Sequence, residues 1–76
     1  MRILIVEDDA SLASGLGRIL QAEGFATDVA PRGEQAVEAA RHERFDLVIL
    51  DIGLPGIDGF EVLKIVQENE ILAIVD

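Results

Sequence analysis

Two short apolar segments, each closed by acidic residues, place the strongest constraint on how this chain folds. Ile3–Val6 runs directly into Glu7, Asp8 and Asp9, and Leu47–Leu50 runs directly into Asp51. An unbroken apolar run that is rich in β-branched residues is typical of a strand buried on both faces, as strands are in a parallel sheet. The chain is therefore expected to contain two central strands that end in carboxylates.

Segments with helical periodicity alternate with the apolar runs. Leu12, Leu16, Ile19 and Leu20 recur at helical spacing, with Asp9 or Ser11 available as N-cap and Gly24 as the C-terminal stop. Two more helices are predicted over residues 34–44 and 60–69, and two more strands over 26–30 and 71–75. Strands that alternate with helices predict an α/β fold, an open parallel sheet of three to four strands with three helices. The three phenylalanines are expected in the core: Phe25, Phe45 and Phe60.

The amino-acid composition of the chain excludes several classes of function. The chain has 76 residues, enough for a single domain over 1–76, and its 6 basic and 15 acidic residues give a formal net charge of −9. Cysteine is absent, which excludes disulfides and thiol chemistry. So acidic a surface repels nucleic acid and anionic membranes. No apolar run approaches the ~18 residues of a membrane span, and we expect a soluble, cytoplasmic protein.

The acidic residues after the two central strands are the candidate site. If those strands are neighbours, Glu7, Asp8 and Asp51 meet at the carboxyl edge of the sheet, where ligands bind in open α/β folds. Three carboxylates this close require a cation or raised pKa values, and oxygen ligands without His or Cys favour Mg²⁺. The alternative is that such acids only cap helices, which is the role we prefer for Asp9.

These segments, taken together, resemble the receiver domain of two-component response regulators. The resemblance rests on Ile3–Asp9, on Asp46–Asp51 and on the loop Leu54–Gly59, and it is greatest to receivers attached to winged-helix DNA-binding domains. It implies a flavodoxin-like receiver fold and a signalling module that is not itself an enzyme.

The resemblance also implies a role for each site residue. Asp51 matches the phosphoacceptor, which takes its phosphoryl group from a sensor histidine kinase. Glu7 and Asp8 match the acid pair that holds Mg²⁺, and Gly53 matches the residue whose backbone carbonyl binds the metal. Pro55 and Gly56 match the bend of the loop behind the site.

Two residues of the family's site have no match in this sequence. Receivers carry a Thr or Ser after the fourth strand and a Lys after the fifth, whereas the one Thr here, Thr27, lies on the predicted second strand and the one Lys, Lys64, lies in the third helix. We therefore expect a C-terminally truncated receiver with impaired phosphorylation. Its uncovered sheet edge predicts a homodimer, through pairing of edge strands or swapped elements.

Two other functions compete with this interpretation. The chain could be a dimerising interaction module, or an inactive receiver remnant without phosphotransfer activity. It could also be a phosphatase of the haloacid dehalogenase type, which likewise uses an Asp after a buried strand. That family has a second acid two residues after the nucleophile, where this chain has Gly53, so the phosphatase is disfavoured.

Overall fold

The computed structural model describes residues 1–54 and 59–75. Within these residues, four strands and three helices alternate along the chain. The elements, in chain order, are β1 (Arg2–Val6), α1 (Ala10–Ala22), β2 (Ala26–Ala30), α2 (Gly33–His42), β3 (Leu47–Leu50), α3 (Gly59–Glu68) and β4 (Leu72–Val75). The predicted α/β alternation is confirmed.

The strands form one parallel sheet in the order β2-β1-β3-β4. The pairing of β1 with β3 runs from Ile3 opposite Leu47 to Val6 opposite Leu50. This register brings the carboxyl ends of the two central strands level with each other. The two strands that end in acidic residues are therefore neighbours, which is the condition for their carboxylates to meet.

The two faces of the sheet are covered unequally. Leu4 and Val6 of β1 pack under α2 and α3 in the larger cluster, whereas Ile3 and Ile5 pack against Ala13 of the single helix α1. The face of α1 that is turned to the sheet carries the small buried residues Ala13 and Gly17, which lets this helix lie close to the sheet. Among the described residues, the cluster under α1 has three buried members, whereas the cluster under α2 and α3 has twelve.

The beginning of α1 and the end of α2 have identifiable causes. Asp9 is the N-cap of α1, because its Oδ1 accepts a hydrogen bond of 3.1 Å from the Leu12 N–H. Helix α2 was predicted to continue to Arg44, but it ends at His42 because Glu43 adopts an extended backbone. The Glu43 carboxylate pairs with the guanidinium of Arg2 at 2.6 Å, and the same guanidinium lies 4.6 Å from the centre of the Phe45 ring.

The predicted core is only partly correct. Phe45 is buried and Phe25 packs at the edge of the α1 cluster, but Phe60 in the first turn of α3 is 65% exposed. Leu12 and Ile19 follow the helical period of α1 and are nonetheless exposed, because Ala13 and Gly17 face the sheet. None of the helices in residues 1–54 and 59–75 is long and apolar enough to cross a membrane.

Replacing Leu4 should test how far the fold depends on its central strand. Leu4 is 1% exposed, so Leu4→Ala should lower the free energy of unfolding by about 2–5 kcal/mol. The matched variant Leu12→Ala removes a leucine that is 55% exposed, and its effect should stay within about 0.5 kcal/mol. Urea unfolding followed by circular dichroism measures both, and equal losses in the two variants would contradict this account of the core.

Candidate metal centre

Backbone hydrogen bonds fix where two of the acidic residues leave the sheet. The Glu7 N–H donates to the Ala30 carbonyl at 3.2 Å, so Glu7 is anchored to the end of β2. The Asp51 N–H donates to the Val6 carbonyl at 3.0 Å, so Asp51 is anchored to the end of β1. These bonds extend the strand pairing into the residues that carry the carboxylates.

The carboxylates of Glu7, Asp8 and Asp51 lie together at this edge. Each contributes one oxygen to a set whose members all lie within 4.8 Å of one another. Glu7 and Asp51 are half-buried and Asp8 is exposed. A cleft of about 110 Å³ adjoins Glu7 and Asp51, and Leu12, Leu16 and Ile49 are among the residues that line it. The structure thus brings together the three acidic residues that the sequence singled out.

Two of the carboxylates are oriented by backbone N–H groups two residues further along the chain. The Asp9 N–H donates to Oε1 of Glu7 at 3.1 Å, and the Gly53 N–H donates to Oδ1 of Asp51 at 3.0 Å. Such bonds limit the rotation of the side chains without neutralising their charge. Sequence reasoning did not identify these two donors, since any residue except proline supplies an N–H.

The surroundings of Glu7 disfavour its ionised form. Partial burial raises the pKa of Glu7, and the nearby carboxylates of Asp51 and Asp8 raise it further, while the hydrogen bond from the Asp9 N–H acts in the opposite direction. The ionised cluster is therefore unfavourable by itself. A bound cation would remove this penalty by pairing with all three charges.

The size and chemistry of the cluster fit Mg²⁺. Mg²⁺ binds oxygen ligands at about 2.1 Å, so two oxygens on opposite sides of the ion lie about 4.2 Å apart. Three carboxylate oxygens within 4.8 Å of one another approach this spacing, and any remaining positions can be taken by water. Gly53, whose carbonyl the resemblance assigns to the metal, follows Asp51 by two residues and is tied to its carboxylate.

Other residues considered in the sequence do not join the cluster. Thr27 pairs with Ile3 at the opposite end of β1, and its hydroxyl accepts a hydrogen bond from Gln21. Lys64 is exposed on α3, and Asp9 caps α1. The predicted bend at Pro55 and Gly56 lies outside the described residues.

The family model and the sequence relatives of this chain point to the same protein family. The model of the response regulator receiver domain matches residues 3–75. The DNA-binding response regulator MtrA of Mycolicibacterium paratuberculosis is 47% identical over 74 residues, which are 97% of this chain and 33% of MtrA. The transcriptional regulatory protein AfsQ1 of Streptomyces coelicolor is 37% identical over 73 residues, 96% of this chain and 32% of AfsQ1. The chain thus spans about a third of the length of these relatives.

Solved structures agree with the sequence relatives. A receiver domain from Methanospirillum hungatei superposes with a TM-score of 0.92 at 32% identity, over 97% of this chain and 61% of that one. The response regulator TrrA of Thermotoga maritima, solved with Mg²⁺ and a beryllium fluoride, superposes with a TM-score of 0.86 at 39% identity. The match covers 97% of this chain and 64% of that one. TrrA solved in complex with the histidine kinase ThkA superposes with a TM-score of 0.88 at 38% identity, over 97% of this chain and 66% of that one. The chain therefore belongs to the response regulator receiver domain family.

Proposed function

We propose that this chain is a phosphoacceptor module that takes a phosphoryl group on Asp51 in a reaction that depends on Mg²⁺. Glu7, Asp8, Asp51 and the backbone carbonyl of Gly53 would hold the ion. The observation that carries the proposal is the convergence of the three carboxylates at the adjacent ends of β1 and β3. In this role the chain receives a group and signals its presence, and it is not an enzyme with a small-molecule substrate of its own.

The donor in the proposal is a phosphohistidine of a sensor histidine kinase. An oxygen of Asp51 attacks phosphorus, the P–N bond to the histidine breaks, and a P–O bond forms. The end of β3 and the Gly53 N–H hold the attacking carboxylate in place, which reduces the entropy lost on reaching the transition state. Mg²⁺, when bound, offsets the negative charge of the acids and of the transferred group.

The relatives support this assignment of partner and setting. TrrA has been solved with the histidine kinase ThkA, and MtrA is a DNA-binding response regulator of which this chain matches a third. We propose that residues 1–76 form, or form part of, a cytoplasmic receiver unit, since this chain covers 61% of a solved receiver domain. Since its net charge is −9, this segment is proposed to contact neither nucleic acid nor membrane.

The 76-residue chain on its own is proposed to accept phosphate slowly. Thr27 is hydrogen-bonded to Gln21, Lys64 is exposed on α3, and Ser11 and Ser14 lie within α1, so among residues 1–54 and 59–75 none of these four follows the end of a strand as the family's hydroxyl and lysine do. Loss of one preorganised partner of a developing charge lowers a rate by about 10²–10³-fold. Metal binding, which needs only the acids, is expected to survive.

Asp51→Asn tests the site directly. With Mg²⁺ and beryllofluoride, the wild-type chain should show saturable changes in the amide spectrum around Asp51, and with acetyl phosphate it should gain the mass of one phosphoryl group. Asp51→Asn should lose both responses because a neutral amide replaces the nucleophilic carboxylate. Asp46→Asn is the matched control, since Asp46 lies at the opposite end of β3, and it should respond as the wild type does. A wild-type chain that responds to neither reagent would contradict the proposal.

Glu7→Gln should stabilise the metal-free fold at neutral pH and weaken the metal-bound one. The raised pKa of Glu7 means that its ionised form destabilises the folded state. The penalty is present above the raised pKa and absent below the unfolded value of about 4.3, so the two proteins should converge as pH falls. Excess Mg²⁺ should reverse their order, since the wild type binds it more tightly.

Thermal unfolding in EDTA and in Mg²⁺ at several pH values measures this reversal. Glu38→Gln serves as the control, because Glu38 is exposed on α2 beside His42 and outside the cluster. If Glu7→Gln and Glu38→Gln behave alike under both conditions, Glu7 takes no part in metal binding.

A second function, homodimerisation, is favoured by the exposed apolar edge of the sheet. Strand β4 is one of the two edge strands of the described sheet, and its Leu72, Ile74 and Val75 are 73%, 54% and 43% exposed. An apolar outer strand with unpaired backbone groups is a template for pairing with another strand. We propose that two copies pair their β4 strands across a two-fold axis, or exchange elements at this edge. A chain that only dimerises, without phosphotransfer, is the alternative to the first function.

Sedimentation velocity over a range of protein concentrations tests the dimer. The wild-type chain should associate reversibly, and Ile74→Lys should shift it to the monomer because it places a charge on the pairing strand. Ile19→Lys is the matched control, since Ile19 is an exposed isoleucine on α1 and away from the strand edge. A wild-type chain that remains monomeric at the highest concentration would refute dimerisation through β4.

A further inference from the structure

The contact between Gly59 and Ile52 joins the beginning of α3 to the segment that carries the candidate metal ligands. Gly59 is the first residue of α3 and is buried. A Cβ atom at this position would lie 2.6 Å from the Ile52 carbonyl oxygen, 2.7 Å from its Cα and 3.0 Å from its carbonyl carbon. All three atoms belong to the backbone, so no side-chain rotation could relieve the overlap.

The requirement for glycine at this position is steric. Among the glycines that the structure describes, only Gly24 has a positive φ angle, so Gly59 does not need the left-handed region that favours glycine. Ordinary contact between carbon atoms needs about 3.5 Å. A methyl group at Gly59 would therefore push the two backbones apart by something on the order of 0.5–1 Å.

The Ile52 backbone lies between the two residues whose positions matter for the metal. Asp51 is held on one side by its N–H bond to Val6, and Gly53 donates its N–H to the Asp51 carboxylate at 3.0 Å. The contact with Gly59 falls between these two attachments. A displacement of Ile52 therefore changes the position of the Gly53 backbone, the Asp51 side chain, or both.

We infer that Gly59 is a positioning residue for the metal site, because its lack of a side chain lets α3 press against Ile52 and sets the Asp51–Gly53 segment in its binding geometry. The inference rests on the proposed function. Mg²⁺ requires near-ideal octahedral geometry, and functional groups need to be held within about 0.5 Å. A supporting residue of this kind changes metal affinity by about 10–100-fold.

Gly59→Ala tests the inference when Mg²⁺ affinity and unfolding are both measured. In the metal-free protein, the amide resonances of Asp51 and Gly53 should move, and Mg²⁺ titration should give a dissociation constant about 10–100-fold weaker than that of the wild type. Gly15→Ala is the matched control, since a Cβ at Gly15 on α1 meets no atom within 4 Å apart from its chain neighbours and the backbone of its own helix. It should leave the Asp51 and Gly53 resonances and the dissociation constant unchanged.

The outcomes separate this inference from the proposed function. If the wild type binds Mg²⁺ and folded Gly59→Ala binds it equally well, the inference is wrong and the metal site stands. If the wild type gives no saturable Mg²⁺ response, both the inference about Gly59 and the proposed Mg²⁺-dependent function are wrong.

The wild-type protein provides a second test in case Gly59→Ala fails to fold. In a Mg²⁺ titration of the wild type, the Gly59 amide should shift with the same dissociation constant as the amides of Asp51 and Gly53. A Gly59 amide that stays fixed while those two move would overturn the inference.

Discussion

The parallel pairing of β1 with β3 is the constraint on which the site depends. With Val6 opposite Leu50, the residues that follow the two strands emerge at the same level, and their carboxylates meet. A shift of one residue in this pairing would turn buried side chains toward the wrong face, so the core that fixes the register also fixes the spacing of the acids. Burial of Leu4, Ile5, Val48 and Leu50 therefore holds together charges that repel one another.

Repulsion within the cluster links stability to function. Burial and neighbouring charge raise the pKa of Glu7, so the metal-free fold carries an electrostatic penalty that binding a cation would remove. Two backbone N–H groups, from Asp9 and Gly53, restrain the carboxylates without cancelling their charge. The acids therefore keep the negative charge that a bound cation would neutralise.

The order of the elements and the acids that end the central strands could be predicted from the sequence, because both depend on apolar runs and on where those runs stop. The adjacency of the two central strands was only a condition for the acids to meet, and it is the pairing of β1 with β3 that satisfies this condition. Sequence reasoning failed where packing selects among residues with the same pattern. Phe60 and Ile19 fit a helical period and are exposed, whereas Ala13 and Gly17 face the sheet. It also placed the end of α2 two residues late, since the pairing of Glu43 with Arg2 is a long-range contact.

The role inferred for Gly59 shows why part of a site escapes a search for chemical groups. The sequence marks Gly59 only as one of several glycines near a turn, and it carries no atom that could bind an ion. Its effect comes from the close approach of α3 to the Ile52 backbone, which appears only once helix and loop are both in place. A site of this kind therefore has two sets of determinants: the acids that bind, which the sequence reveals, and the contacts that set their geometry, which emerge from packing.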